Sequence, residues 1–225
     1  LLVSLRPAAQ DDDPRLRAAG RVRELSELAH AEYEARRTAR ARDFYEEAAR
    51  LAEEQLGDDH LLTADCADWL ATCLYELAEY SRAGEQWERV LRMREKQQGP
   101  EHPDSIACLG SLAVAVKKQG DLKRARALYE RALDIERRVL GPEHKDTATT
   151  MNNLAMCLKD QGDFESARPL LEQALAYHEK SSGPEGRYTM ICLNNLAECV
   201  YGQGDVEKAT TLFERALAVQ ERVLG

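Results

Sequence analysis

Glycine stands at Gly57, Gly99, Gly141, Gly183 and Gly225, always 42 residues apart. A chain that returns to one register without insertion is a row of similar layers, each burying its apolar face against the next. Other series keep the same spacing. Leu28, Leu70, Leu112, Leu154 and Leu196 are each followed by alanine. Ala41, Ala83, Ala125, Ala167 and Ala209 form another series, and Tyr45, Trp87, Tyr129, Leu171 and Phe213 a further one. Gly120, Gly162 and Gly204 recur within the units.

Each unit reads as two helices. In the fourth, Asp146 is expected to cap a helix whose apolar residues Met151, Leu154, Ala155 and Leu158 follow helical spacing. Gly162 should end that helix in a left-handed conformation. Asp163 should cap a second helix with an apolar face of Phe164, Ala167, Leu170, Leu171, Ala174 and Leu175. Turns this short make successive helices antiparallel. The alanines let helix backbones approach, and the larger leucines fill the space beside them. Near the N-terminus, Asp13 before Pro14 reads as another helix start, preceded by Asp11 and Asp12.

The rest of the composition agrees. Charged residues make up 32% of the 225 and aromatics 6%, which suits helices with broad solvated faces and a small-residue core. The net charge of −9 argues against nucleic acid as partner, since such binders usually present a basic face. The longest nearly apolar run, Ile106 to Val116, is far shorter than the ~20 residues of a membrane span, so no membrane partner is expected. Cys66, Cys108 and Cys192 share one repeat position, and Cys73, Cys157 and Cys199 another. They are expected as buried reduced thiols, which points to a cytoplasmic setting.

The order of residues in the fourth unit, Leu154-Ala155, Leu158, Gly162-Asp163, Ala167, Leu171 and Ala174, resembles the tetratricopeptide repeat. That repeat usually has a period of about 34 residues. With "GPEH" at Gly141 to His144 and "YERALDIERRVLG" at Tyr129 to Gly141, the chain resembles the kinesin-light-chain-like subfamily, whose second helix and loop are longer. The resemblance covers about residues 20 to 225. It is looser early on: Arg36 and Ala78 stand where later units have the turn glycine. It implies an all-α, right-handed superhelical solenoid of antiparallel helix pairs, about five repeats, near 20–61, 62–103, 104–145, 146–187 and 188–225. Residues 1–13 would be an upstream tail or linker, and 14–225 the solenoid.

The resemblance also implies a concave groove lined by first helices, in which a segment of a partner lies. By register that groove offers Arg23, Ser26, His30, Tyr33 and Glu34 in the first unit, and Asp65, Asp68, Thr72, Tyr75 and Glu76 in the second. The third offers Ala107, Gly110, Val114, Lys117 and Lys118, the fourth Thr149, Asn152, Met156, Lys159 and Asp160, and the fifth Ile191, Asn194, Glu198, Tyr201 and Gly202. The second unit is acidic and the boundary of the third and fourth basic, with a shallow apolar dip at Gly110 and Val114. Asn152 and Asn194 could pair both polar groups of an extended backbone. The expected ligand is a protein or peptide segment with an apolar anchor and charges of both signs. The chaperone-tail clamp of other tetratricopeptide proteins is not carried over, because Thr72, Val114 and Met156 occupy its positions.

Other features carry less chemistry. His60, His102 and His144 recur at the period, but units lie about 10 Å apart and ligands must reach one ion within about 2 Å; they are expected to pack loops. His178, on a second helix, is expected to be exposed. No nucleophile elbow, phosphate loop or HExxH occurs, so neither catalysis nor a metal or other cofactor is expected. The apolar face of Phe213, Leu217 and Val223 looks uncovered and could join a partner copy. The leading expectation is a protein-interaction scaffold or adaptor. The rival is the sensor or regulatory arm of a larger enzyme, such as a nucleotide-switch ATPase or a caspase-like protease.

Overall fold

The computed structural model describes residues 13–224. Among them are ten α-helices and no strand: α1 (Pro14–Glu34), α2 (Thr38–Leu56), α3 (Leu61–Glu76), α4 (Tyr80–Gln98), α5 (Pro103–Lys118), α6 (Leu122–Val139), α7 (Lys145–Asp160), α8 (Phe164–Ser182), α9 (Arg187–Gly202) and α10 (Val206–Leu224). Odd-numbered helices are the first of each pair and even-numbered helices the second. The chain divides into two compact units, one ending at Cys108 and one beginning at Leu109. The expected upstream tail lies outside the described residues apart from Asp13. No helix of the described residues is long and apolar enough to cross a membrane.

Both alanine series lie in the core. Ala29, Ala71, Ala113, Ala155 and Ala197 are fully buried, and so are Ala41, Ala83, Ala125 and Ala167. A larger side chain there would push the two helix axes apart. Tyr45, Trp87, Tyr129 and Leu171 are buried beside them. Two members of these series depart. Leu28 is exposed on α1, before which no helix stands among the described residues, and Phe213 is exposed on α10 together with Leu217. All six cysteines are free and buried, and burial raises their thiol pKa values, Cys108 to about 12 and Cys73 and Cys192 to about 11.

The ends of the helices follow local chemistry. Asp13 accepts a hydrogen bond from the Arg15 backbone N–H at 2.8 Å, and Asp163 accepts one from Ser166 at 3.2 Å, as expected of N-caps. Asp146 is not the cap of α7. That helix begins at Lys145, two residues earlier than expected, and His144 caps it, its Nδ1 accepting from the Asp146 backbone N–H at 3.2 Å. His60 and His102 do the same for Leu62 and Asp104, at 3.1 and 3.2 Å. Imidazole Nδ1 lies as many bonds from Cα as an aspartate oxygen, so it reaches the same orphan donor. The recurring histidines are thus helix caps, which fixes their proton on Nε2.

Two kinds of turn separate the helices. Between the helices of a pair, one residue takes positive φ: Gly120, Gly162 and Gly204, but also Arg36 at 59° and Ala78 at 62°. That left-handed region costs a residue with a side chain about 1–2 kcal/mol. Between pairs the demand is stricter. Gly57, Gly99 and Gly183 have φ of 85°, 92° and 78° with ψ of 171°, 161° and 169°, a region essentially closed to other residues. The first turn of the next helix then holds that glycine. The hydroxyls of Thr63, Ser105, Thr147 and Thr189, all buried, donate to the carbonyls of Gly57, Gly99, Gly141 and Gly183 at 2.8, 2.9, 2.8 and 2.8 Å.

Candidate functional site

In the first unit, α1 and α3 run side by side with α2 beneath them. Between them lies a cavity of about 530 Å³, lined by residues that include Ser26, His30, Tyr45, Asp65 and Trp69. Its wall is aromatic. The Trp69 ring stacks over that of Tyr45, 7° from parallel with centroids 6.0 Å apart. His30 and Tyr33 meet Trp69 edge-on at 5.2 and 5.6 Å. Tyr45 is buried while 38% of Trp69 is accessible, so an apolar surface faces outward on a rigid base. Arg23, Glu27, Glu34 and Asp65 ring this surface with both signs of charge.

Of the residues expected by register, Arg23, Ser26, His30, Glu34 and Asp65 line this cavity. Trp69 was not among them, because it precedes the repeated leucine by one residue and the register takes the position before that. Its signal was a tryptophan at a slot held elsewhere by Glu27, Ser111, Asn153 and Asn195. Tyr75 is half-buried beyond the cavity, against Tyr80 and Trp87 at 5.3 and 6.0 Å.

Pairing offsets part of the expected blocks of single charge. Asp68 accepts from the Trp87 indole at 2.7 Å and meets the buried Arg94 at 2.9 Å, while Asp65 meets Arg94 at 3.3 Å. Glu76 accepts from the Tyr33 hydroxyl and from Thr38, the latter at 3.2 Å. Burial, and then that hydrogen bond, raise the Tyr33 pKa to about 12. In the second unit Lys117 pairs with Asp160 at 2.9 Å, and Lys159 with Glu198. The two lysine pairs join neighbouring first helices, so these charges also tie the face together.

The other expected residues of the second unit lie on the first-helix face. Gly110, Val114, Met156, Asn152 and Asn194 are half-buried, while Lys118, Glu198 and Tyr201 are exposed. A methyl group added at Gly110 would meet nothing within 4 Å, consistent with an open dip. Asn152 departs from its expected role, since its Oδ1 already accepts from Asn195 Nδ2 at 2.8 Å. The Cys192 thiol faces the same oxygen at 3.9 Å, so the amide N–H groups are what Asn152 keeps for a ligand.

His178 is not exposed. It is 3% accessible, between Tyr177 and Tyr188 with ring centroids at 5.1 and 5.3 Å. Burial, with a smaller push from Lys145, lowers its pKa. Its register explains the reversal. Arg94, Glu136 and His178 stand 42 residues apart, on the side of the second helix that the next first helix covers, and all three are buried. Glu136 accepts from the Thr150 hydroxyl at 3.0 Å, its Oε2 is buried without a hydrogen-bond partner, and burial raises its pKa to about 7.

Comparison with known proteins agrees with the geometry. A kinesin-light-chain-type protein of Podosopora anserina with nearly identical TPR-like repeats is 25% identical, covering 90% of this chain and 96% of that one with a TM-score of 0.78. BtubC (BKLC) from P. vanneervenii is 23% identical, with 94% and 84% covered and a TM-score of 0.78. A Rap protein complexed with Competence and Sporulation Factor is 16% identical, with 87% and 52% covered and a TM-score of 0.67. No curated protein matches the chain. The family model of the tetratricopeptide repeat matches residues 23–96, 66–136, 117–180 and 146–222. With its helix pairs, paired alanine series and repeated turns, the chain belongs to the tetratricopeptide repeat family.

Proposed function

We propose that this chain is a protein-interaction scaffold whose first-helix face binds an extended segment of a partner protein. The observation that carries this reading is the cavity over Tyr45. Its volume, about 530 Å³, falls within the range of small-ligand sites, roughly 300–1,000 Å³. An apolar side chain of the segment would seat against Trp69, and its flanking charges would meet Arg23 on one side and Glu34 or Asp65 on the other. The Rap protein complexed with Competence and Sporulation Factor is a precedent for a bound partner on a similar fold. In the second unit Met156, Asn194 and Tyr201 offer a contact surface of their own.

The test is selection from a display library of random peptides on the immobilised chain, followed by affinity measurement. Enriched peptides should share an apolar residue flanked by charge. Trp69→Ala should weaken those that bind the first unit at least tenfold, and Asn194→Ala with Lys159→Glu should weaken those that bind the second. Peptides that bind all variants equally would place the interaction on another face.

A further inference from the structure

The second unit holds a smaller chamber whose floor is His178. Its volume is about 210 Å³, and Thr149, Asn152 and Asn153 of α7 and Tyr188, Ile191 and Cys192 of α9 complete it. That is below the roughly 300 Å³ at which drug-sized ligands are accommodated, so the chamber suits a single side chain. Its lining is mixed rather than apolar. Among the described residues no protein group hydrogen-bonds His178, and its ring nitrogens are not sealed from solvent although the side chain is only 3% accessible. Polar groups normally pair with protein or with water, so an imidazole whose nitrogens open on a chamber and meet no protein group offers a place for a ligand atom.

The polar groups present say what that atom belongs to. The Thr149 hydroxyl donates to the Lys145 carbonyl at 3.0 Å, which leaves its oxygen as an acceptor. Asn152 has committed its oxygen to Asn195, which leaves donors. Asn153 offers both, and a neutral imidazole offers one of each. A carboxylate only accepts, so the Thr149 oxygen and the acceptor nitrogen of a neutral His178 would both go without a donor. An aliphatic group would leave every one of these polar atoms unpaired. A carboxamide both donates and accepts, and it is neutral.

We infer that the His178 chamber is a subsite for a primary carboxamide, the side chain of a glutamine or asparagine in the docked segment. This rests on the proposed scaffold reading for the source of the side chain, but its chemistry can be tested without a whole peptide.

The experiment is histidine-ring nitrogen NMR on the full chain with 15N-labelled histidine. The probes are N-acetylglutamine N-methylamide and its glutamate and leucine counterparts, and His178→Phe assigns the resonance. The glutamine probe should shift the His178 nitrogens saturably, at concentrations on the order of millimolar, leaving the capping histidines His60, His102 and His144 unmoved. The other two probes should bind at least fivefold more weakly. Asn153→Leu, at the half-buried rim, should weaken the glutamine probe while the His178 resonance in free protein stays in place. No saturable shift, or equal response to leucine, would overturn the subsite, and a stronger response to glutamate would make it an anion site. Failure of the scaffold reading shows elsewhere, in library peptides indifferent to Trp69 in the first unit.

Discussion

Trp69 lies over Tyr45 with the two rings 7° from parallel, and only the outer ring meets solvent. The other tryptophan, Trp87, is buried with its indole N–H on Asp68. The two indoles therefore report on different places. Trp69→Phe should leave a blue-shifted emission that acrylamide quenches poorly, whereas Trp87→Phe should leave a red-shifted, readily quenched one. Steady-state quenching of the two variants checks this, and equal quenching would mean that the cavity wall is covered.

Glu136 makes stability depend on pH. Its carboxyl rises from 4.5 to about 7 in the folded chain because it is buried. Between those values the folded state binds the extra proton, so the contribution is complete below about pH 4.5 and is lost as pH rises through about 7. The full shift corresponds to about 3 kcal/mol. His178, whose pKa is lowered from 6.5, has the opposite sign. Its contribution is complete above pH 6.5 and declines below it. Glu136→Gln should raise the urea midpoint at pH 8 and flatten its fall between pH 5 and 8. Identical pH profiles for the variant and the parent would show that Glu136 is ionised at little cost.

The two classes of turn should respond differently to exchange of glycine and alanine. Gly99 has φ of 92° and ψ of 161°, and a methyl group there meets no atom within 4 Å. Gly99→Ala should therefore cost about 1–3 kcal/mol through the backbone alone. Ala78, at φ of 62°, already carries left-handed strain. Ala78→Gly trades that strain against chain entropy and should change stability by less than about 1 kcal/mol. Thermal midpoints of the two single variants decide it.

Arg94 is buried against Asp68 at 2.9 Å and Asp65 at 3.3 Å, and also donates to the Asp104 carbonyl at 3.3 Å. Arg94→Ala should destabilise by about 3 kcal/mol, because it strands the carboxylates that the guanidinium neutralises. Adding Asp68→Asn should recover part of that loss, the asparagine oxygen still accepting from Trp87. A double variant no better than the single one would assign the cost to lost packing.

The layers were legible because glycine and alanine have few substitutes where backbones turn sharply or touch. Gly57 and Ala155 announce their roles wherever they recur. The groove register located Ser26, His30 and Asp65 on the cavity for the same reason. Charge was harder to interpret, since a sequence shows which residues carry it but not which ones meet. Asp68 looked like part of an acidic patch until Arg94, on the neighbouring helix, was found against it. His178 misled through residue type. It shares a slot with Arg94 and Glu136, and three ionisable residues in one register suggest a wet face, whereas the next first helix covers that slot. The Thr63, Ser105, Thr147 and Thr189 series was visible as a recurring hydroxyl, but its target is a backbone carbonyl with no letter in the sequence.

That hydroxyl and its glycine also determine where the chain can be cut and rejoined. The joint between pairs consists of a glycine that no other residue replaces and a carbonyl clasped six residues later. Both halves of the clasp travel with any 42-residue cassette spliced inside a helix instead of at the loop. An extra cassette inserted in that way brings its own latch, so the scaffold can be lengthened layer by layer without designing a new junction.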